Sequence, residues 1–493
     1  MRGQALLILV ALADTLENLV RDYLAAPASV DLVELRLDSL KETDLRPLFE
    51  AKGKPRIATC RSRAQGGFFG GNEEQRQQVL RQAITLSVEF VDLEFESDDE
   101  KILGQTLTSR PILSYHHRGG TPLDLESIYG RMASRAPSAI LKLIPFADAC
   151  TDNLRVRDLL RQARTEGRDL IAFCMGDRGK VSRILARAWG SWGVYAPAKS
   201  EATTAPGQLL LSELVDLFRE KVLQETTPLT GVLGHPVSGS LSPLLYNRAY
   251  QSLGIEGCFL PFDAEVVAEF LPLLSELPIT GLAVTHPHKE SLASHCDELD
   301  PTAAAVGAVN TVVRRWNRLV GYNTDGEGAV RALSRVMDLQ GVRAGILGTG
   351  GAATAVALGL KLSGAKATLF GRNPQRADVA ARRAGCVAEA WEGASRFHGD
   401  VLINATPVGM AHISAESPVS WSQVHAEVAF DLVYNPPLTP FLQEARNAGA
   451  RILGGAAMFL EQAVSQFEFL AGREAPRELF EEIVSPYVVR GEA

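Results

Sequence analysis

Residues 344–355 read AGILGTGGAATA, and this stretch decides the fold of the second half of the chain. A short apolar run, 345–347, meets glycines at Gly348, Gly350 and Gly351, and a helix-forming run begins at Ala352. The pattern predicts strand, tight turn and helix. Glycines suit such a turn because the backbone must approach a pyrophosphate closely, while the helix N-terminus offers free N–H groups and partial positive charge. The implied ligand is a dinucleotide, held at Gly348, Gly350, Gly351 and Ala352. Residues 366–370, KATLF, read as the second strand of the βαβ unit, whose end commonly carries an acid for a ribose 2′-hydroxyl. Arg372 and Asn373 stand in that place, with Arg376 one helical turn on. Guanidinium groups there suit a 2′-phosphate, so the predicted cofactor is NADP rather than NAD.

Working outward, 493 residues are too many for one core and imply roughly two to four domains. A net charge of −8 argues against nucleic acid or an anionic membrane as the main partner, and no apolar run is long enough to span a bilayer. The six cysteines include no C-x-x-C pair, which fits a reducing compartment, and the expected location is the cytoplasm. His286 and His288 lack helical spacing and a third ligand, so no metal is expected. Arg2, the apolar run 5–12 and the small residues before Asp14 imitate a secretory signal. The competing reading, a buried strand over 6–12, is preferred because the barrel described next needs it.

Short apolar runs recur along the first half at 6–12, 32–37, 55–60, 90–95, 111–115, 140–144, 170–175 and 193–196, separated by amphipathic segments. Eight strands alternating with helices imply a (β/α)8 barrel, whose active site lies at the C-terminal strand ends. Polar residues at those ends are Glu34, Arg36, Arg61, Glu94, His116 and Lys142, with Arg183 and Gln208 on later loops. Residues 208–223 read as the closing helix. Lys142 is the sharpest case, a lysine inside the apolar strand AILKLIP of residues 139–145. It must be paired or desolvated, and desolvation lowers a lysine pKa from about 10.4 toward the range where the free amine attacks a carbonyl. Schiff-base chemistry is therefore expected, with His116 as general acid and base and Glu94 orienting it.

The motifs VELRLD (33–38), ATCR (58–61) before Gly66 and Gly67, VDLE (91–94), SYH (114–116), Lys142 and APGQ (205–208) resemble the type I 3-dehydroquinate dehydratases over the whole half. The resemblance implies that Lys142 forms an iminium with 3-dehydroquinate while His116 moves the proton. It also implies that Arg183 and Gln208 hold the substrate carboxylate, and that Glu34, Arg36 and Arg61 hold ring hydroxyls and fix the loops. The chain departs from the usual family pattern at His117, at Gln65 where glutamate is usual, and at Thr204 where serine is usual near the last loop.

A second βα pattern begins near residue 229, after a short linker at 224–228. Its turn GHPVSGSLSP, 234–243, sets Ser240 and Ser242 before a helix, where they could bind a carboxylate or simply cap the helix. Lys289 and Asp325, on separate loops, make a proton-transfer pair suited to a carbonyl being reduced. These runs, with VTHPHK (284–289), GAVNT (307–311), NATPVGM (404–410), DLVYNP (431–436) and GAAMFLEQ (455–462), resemble shikimate dehydrogenase. The resemblance implies a split substrate-binding domain with a Rossmann NADP domain inserted. It implies that Ser240, Ser242 and Tyr434 hold the shikimate carboxylate, that Thr285, Asn310 and Gln462 hold ring hydroxyls, and that Thr406 lies at the cofactor. Gly239 and Ala283 depart from the usual residues.

The expected organisation is a barrel over 1–223, a substrate-binding domain over 228–335 completed by 455–490, and a Rossmann domain over 336–454. Together the resemblances imply dehydration of 3-dehydroquinate followed by NADPH reduction of 3-dehydroshikimate to shikimate, with small molecules as partners. The alternatives are a quinate dehydrogenase in the second half, against which both serines argue, and a non-catalytic sensor of quinate-like ligands. Lys142, His116, Lys289 and Asp325 together argue against the sensor.

Overall fold

The computed structural model describes residues 5–42, 44–97, 102, 108–411 and 413–489. The chain divides into two compact units, Met1–Thr227 with Pro261–Leu277, and Pro228–Leu260 with Pro278–Ala493. The first unit carries eight parallel strands, β1 (Leu6–Ala11), β2 (Leu32–Arg36), β3 (Arg56–Thr59), β4 (Phe90–Glu94), β5 (Arg110–His117), β6 (Ile140–Pro145), β7 (Leu170–Ala172) and β8 (Gly193–Pro197). Their order, β7-β6-β5-β4-β3-β2-β1-β8, is a barrel nearly closed between β7 and β8. The apolar run near the start is a strand, β1, paired with both β2 and β8. Register sets Glu94, Ser114 and Lys142 level on β4, β5 and β6, so three polar side chains share one layer of the barrel.

Two segments differ from expectation. β7 stops at Ala172 rather than continuing to residue 175, because the Cys174 amide donates to Ser182 Oγ at 2.8 Å; Met175 rejoins the end of β6 only through an isolated bridge, its amide donating to Pro145 O at 2.7 Å. The closing segment, expected as one helix over 208–223, is a π-helical turn at Glu213–Leu217 and a 3-10 turn at Glu220–Val222. Arg219 between them is left-handed, φ 50°, and the turn buries Glu220 against Arg187 at 3.3 Å. Pairing that buried carboxylate overrides helix continuity.

β9 (Leu229–Gly234), β10 (Cys258–Asp263), β11 (Ile279–Val284), β12 (Glu298–Leu299), β13 (Thr311–Arg315) and β14 (Arg318–Tyr322) form a mixed sheet ordered β10-β9-β11-β13-β14-β12, all of it in the second unit except the last three residues of β10. A second sheet holds β15 (Arg343–Leu347), β16 (Lys366–Gly371), β17 (Val387–Ala390), β18 (Val401–Asn404), β19 (Val428–Asp431) and β20 (Arg451–Leu453), ordered β17-β16-β15-β18-β19-β20. Its pairs are parallel. This is the doubly wound order 3-2-1-4-5-6, whose ligand crevice opens where the order reverses, between β15 and β18. The helix Gly455–Ala471 then returns to the mixed sheet and packs Phe459, Ala463 and Phe467 on Leu245, Tyr246 and Phe259. Gly326 permits close approach of the two layers, since a Cβ there would lie 2.4 Å from Ala355 O on the helix Gly351–Leu362.

Asp431 and Asn404 end adjacent strands of the parallel sheet. The Asp431 carboxylate accepts hydrogen bonds from Asn404 Nδ2 (2.9 Å), the Val433 amide (3.0 Å) and Thr439 Oγ1 (2.6 Å). Burial outweighs these donors and pushes the carboxyl from 3.8 up to about 7. A raised folded-state pKa means that folding takes up a proton. The stability this group contributes is therefore fully present below about pH 3.8 and is lost as pH rises through about 7. Asp431→Asn, which keeps the shape without titrating, is expected to show a flatter melting temperature against pH across that window than the parent by calorimetry. Parallel curves would contradict the assignment.

Candidate functional site

The barrel mouth encloses a cavity of about 80 Å³. Glu34, Arg36, Arg61, His116, Lys142, Arg183, Thr204 and Gln208 line it, so seven of the eight positions read from strand ends and later loops converge on one space with Thr204, while Glu94 is not part of the lining. Lys142 Nζ lies 3.1 Å from Asp92 Oδ2, 3.5 Å from Glu34 Oε1 and 4.1 Å from the centroid of the Tyr195 ring. Of the two states open to a buried lysine, the structure takes the paired one. Asp92 also accepts from Ser114 Oγ at 2.6 Å and faces Arg61 Nη2 at 2.7 Å. Burial would raise its pKa, but the charges of Arg61 and Lys142 prevail and hold it well below the usual range. Asp92 was not among the expected site residues, although an aspartate inside an apolar strand is the same signal that singled out Lys142.

His116 sits one pleat beyond Ser114 on β5. Burial, with Arg61 and Lys142 adding to it, keeps the imidazole pKa well below 6.5, so the ring is a neutral base at neutral pH. Its Nδ1 lies 3.3 Å from Gln65 Oε1. Glu94 accepts from the Ser62 amide and Oγ at 2.8 and 2.7 Å and faces Arg61 at 3.4 Å, which anchors the turn after β3. Arg36 grips Asp38 in a two-point pair at 2.8 and 2.7 Å, and Asp38 in turn accepts from the Phe68 amide. Gln208 Oε1 accepts from the Thr204 amide at 2.8 Å.

Arg183 differs from the other cations of the cavity. Its guanidinium lies 4.7 Å over the Phe173 ring, and its Nε has no hydrogen-bond partner among the described residues. Burial lowers its pKa from 12.5 to about 10. A buried cation of this kind is costly until an anion arrives.

In the second unit, Lys289 opens a helical turn after β11, and Asp325 opens the helix Asp325–Leu333. Their Nζ and Oδ2 are 2.5 Å apart. Asn310 Nδ2 faces Asp325 Oδ1 (2.9 Å), Thr324 Oγ1 (2.8 Å) and Gln462 Oε1 (3.0 Å), so the returning helix closes the constellation. Behind it, Gln466 Nε2 donates to Asn310 O at 2.7 Å and Tyr246 OH donates to Gln466 Oε1 at 2.7 Å. Gln466, Thr324 and Tyr246 were missed in the sequence. The i, i+4 spacing of Gln462 and Gln466 on one helix face was the available signal. Tyr434 hydrogen-bonds the Ser240 side chain and the Leu241 amide, and burial raises its pKa. Ser240 Oγ also accepts from the Ser242 amide at 3.3 Å, so the two readings of this turn, capping and ligand binding, share the same atoms. Thr285 follows β11, with its amide donating to Leu233 O at 2.9 Å.

The predicted dinucleotide turn forms as strand, turn and helix. Gly348 has φ 113°, and a Cβ there would press on Ala405 O and Thr406 Cγ2 at 3.2 and 3.3 Å. Gly350 precedes the first turn of the helix Gly351–Leu362, which also contains Ala352. Gly351 brings this helix beside the second site, since its added Cβ would lie 3.5 Å from Lys289 Cβ. Arg372 and Arg376 are exposed past the end of β16, with Arg376 3.7 Å from Glu290. Asn373 caps the helix Pro374–Ala384 through the Arg376 amide, and Thr406 Oγ1 donates to Asn404 Oδ1 at 2.7 Å. Two of the predicted cofactor residues therefore shape the crevice with their side chains.

Residues 8–223 match the family described as type I 3-dehydroquinase, and residues 232–312 match the shikimate dehydrogenase substrate binding domain. The chain is 32% identical to the chloroplastic bifunctional 3-dehydroquinate dehydratase/shikimate dehydrogenase of Arabidopsis thaliana, over 99% of this chain and 85% of that one. It is 30% identical to the shikimate biosynthesis protein AroDE of Chlamydia pneumoniae over 89% of each. It is 41% identical to the NADP(+) shikimate dehydrogenase of Methanopyrus kandleri over 52% of this chain and 95% of that one.

Removing the Asp92 carboxylate leaves Lys142 short of one partner and Arg61 short of another inside the barrel. Asp92→Ala is expected to destabilise the barrel by about 3–5 kcal/mol in urea unfolding, the cost of breaking a buried charge network. A loss below about 1 kcal/mol would show that the network is dispensable.

Proposed function

Because this chain belongs to the family of bifunctional 3-dehydroquinate dehydratase/shikimate dehydrogenases, we propose that the barrel cavity performs the lyase step on Lys142 and that the Lys289–Asp325 pair serves the reduction. The chain is a lyase and an NADP-dependent oxidoreductase of the shikimate pathway. The observation that carries the residue assignments is that each unit holds a complete constellation of its own, a buried lysine with a base in one and a lysine–carboxylate pair beside a dinucleotide turn in the other.

In the first reaction, Lys142 gives up one proton of its paired ammonium and the resulting amine adds to the ketone carbon of 3-dehydroquinate, the released proton returning to the carbinolamine oxygen. Loss of that oxygen as water leaves an iminium, which acidifies the adjacent C–H. The neutral His116 ring takes that proton and the C–H electron pair becomes an enamine. The enamine expels the β-hydroxyl, which leaves as water after His116 returns the proton, and hydrolysis of the new iminium frees 3-dehydroshikimate and Lys142. The Arg183 guanidinium, whose Nε has no hydrogen-bond partner among the described residues and whose Nη2 meets only the Pro206 carbonyl at 3.5 Å, supports a role in holding the substrate carboxylate, with Gln208 and Thr204 beside it. Glu34, Arg36 and Arg61 line the same cavity, which supports assigning them to the ring hydroxyls, and Glu94 is assigned to fixing the turn that carries Arg61.

In the second reaction, NADPH, when bound in the crevice, would supply the hydride for the carbonyl carbon of 3-dehydroshikimate. The crevice fits this cofactor: the left-handed turn at Gly348 disfavours any Cβ, the helix start at Gly351 offers free N–H groups, and Arg372 and Arg376 suit a 2′-phosphate. Lys289 donates the proton to the nascent alkoxide, and Asp325 holds it in place at 2.5 Å. Asn310, Thr285 and Gln462 are assigned to the ring hydroxyls, and Ser240, Ser242 and Tyr434 to the carboxylate. The pairing of Tyr434 with Ser240 supports a compact carboxylate site, which favours shikimate over quinate.

We assign the dehydratase to residues 1–223, the substrate-binding domain to 228–335 with 455–490, and the cofactor domain to 336–454. Six free cysteines support a reducing compartment, the cytoplasm. Among the described residues no helix is long and apolar enough to cross a membrane.

Borohydride added with 3-dehydroquinate is expected to inactivate the dehydratase and leave a mass adduct at Lys142. Inactivation with the adduct elsewhere would remove Lys142 from its role. Arg372→Asp is expected to raise the KM for NADPH by about 10- to 100-fold, the worth of a charge-assisted phosphate contact, while changing NADH little. An equal effect on both cofactors, or a parent enzyme that prefers NADH, would overturn the assignment of the 2′-phosphate.

A further inference from the structure

The helical turn Lys289–Ala293 carries, next to the lysine assigned to proton donation, a carboxylate that none of the assigned roles uses. Glu290 Oε2 lies 3.7 Å from Arg376 Nη2 on the helix Pro374–Ala384. Its other oxygen faces the dinucleotide turn: a Cβ added to Gly350 would stand 3.9 Å from Glu290 Oε1, and one added to Gly351 would stand 4.0 Å from Glu290 Cγ. The carboxylate thus stands beside the helix start at Gly351 and beside one of the two guanidiniums assigned to the 2′-phosphate. Both of those features favour an anion from the cofactor. A fixed negative charge of the protein beside them works the other way.

We propose that Glu290 is a specificity-determining residue of the dehydrogenase, which competes with the 2′-phosphate of NADP(H) for Arg376 and so holds the affinity for the cofactor down. This inference rests on the reading of Arg372 and Arg376 as the 2′-phosphate contacts. Exposure sets its size. The Arg376 and Glu290 side chains are 68% and 43% exposed, so water and salt screen their pair and it yields to a stronger anion. A phosphate monoester is that anion, with close to two charges and three acceptor oxygens. Arg376 therefore passes from the carboxylate to the cofactor, and the surrendered pair costs about 2- to 5-fold in affinity. Within one site such differences fall mainly on the dissociation rate, so the oxidised cofactor leaves sooner by a similar factor. Lys289 and Glu290 are neighbours on one turn with separate partners, Asp325 and Arg376, and so the charge that tempers the cofactor is not the one that holds the proton donor.

The test titrates the intact chain and its Glu290→Gln and Glu290→Ala variants with NADP+ and with adenosine 2′,5′-bisphosphate by calorimetry at low salt, and times NADP+ dissociation by stopped-flow fluorescence. Glu290→Gln, which keeps the shape and drops the charge, is expected to tighten both ligands by about 2- to 5-fold and to slow NADP+ release in proportion. Glu290→Ala is expected to tighten them at least as much. The gain is expected to shrink in about 0.5 M salt and to vanish in an Arg376→Ala background, where nothing is left to compete for. A merely structural contact, once removed, would weaken binding or leave it alone. Unchanged or weaker binding in Glu290→Gln, or an equal gain with Arg376→Ala, overturns the competition. A parent that binds NADP+ no more tightly than NAD+ would instead overturn the 2′-phosphate reading beneath it.

Discussion

The contact between Lys142 Nζ and the Asp92 carboxylate, 3.1 Å within the barrel, sets what the rest of that unit must supply. A buried ammonium needs a buried anion, and a buried anion shared by two cations needs a further donor to complete its shell. Ser114, one strand over, is that donor, and Arg61 is the second cation. Arg61 then requires a rigid turn, which Glu94 provides by accepting from Ser62. The catalytic geometry is thus the outcome of satisfying one charge, layer by layer, across β3 to β6.

The second unit meets the same constraint with different parts. Lys289 faces Asp325, the carboxylate is fixed by Asn310, and Asn310 is backed by Gln462 and Gln466 from a helix that arrives about 150 residues later in the chain. The inserted dinucleotide fold is placed by the same economy of space. Gly326 lets the helix Gly351–Leu362 approach, and Gly351 lets its start lie beside Lys289. Lys289 and the dinucleotide turn are brought together by the absence of two side chains.

How much of this was legible follows from what kind of signal each residue leaves. The eight apolar runs, the glycine turn and the lysine inside an apolar strand are local contrasts, visible without any partner. Asp92 leaves the same contrast but was overshadowed by Glu94 two residues on, whose side chain turned out to hold a loop. Gln65 was noted only as a departure from a family pattern and Tyr195 not at all, because what matters is what they touch, His116 and Lys142, 51 and 53 positions away. The closing segment was read as a helix from its composition. The need to pair Glu220 with Arg187 is a tertiary demand that no window of sequence contains. Local propensity gave way where a buried charge required a partner.

The central claim, two complete and chemically independent centres on one chain, is tested most directly by following nicotinamide absorbance from 3-dehydroquinate and NADPH. The intact chain is expected to consume NADPH, Lys142→Ala and Lys289→Ala each to fail or nearly fail alone, and an equimolar mixture of the two variants to restore consumption, because a small diffusible product made on one chain can be reduced on another. No consumption by the intact chain, or a mixture no faster than either variant alone, would contradict the account.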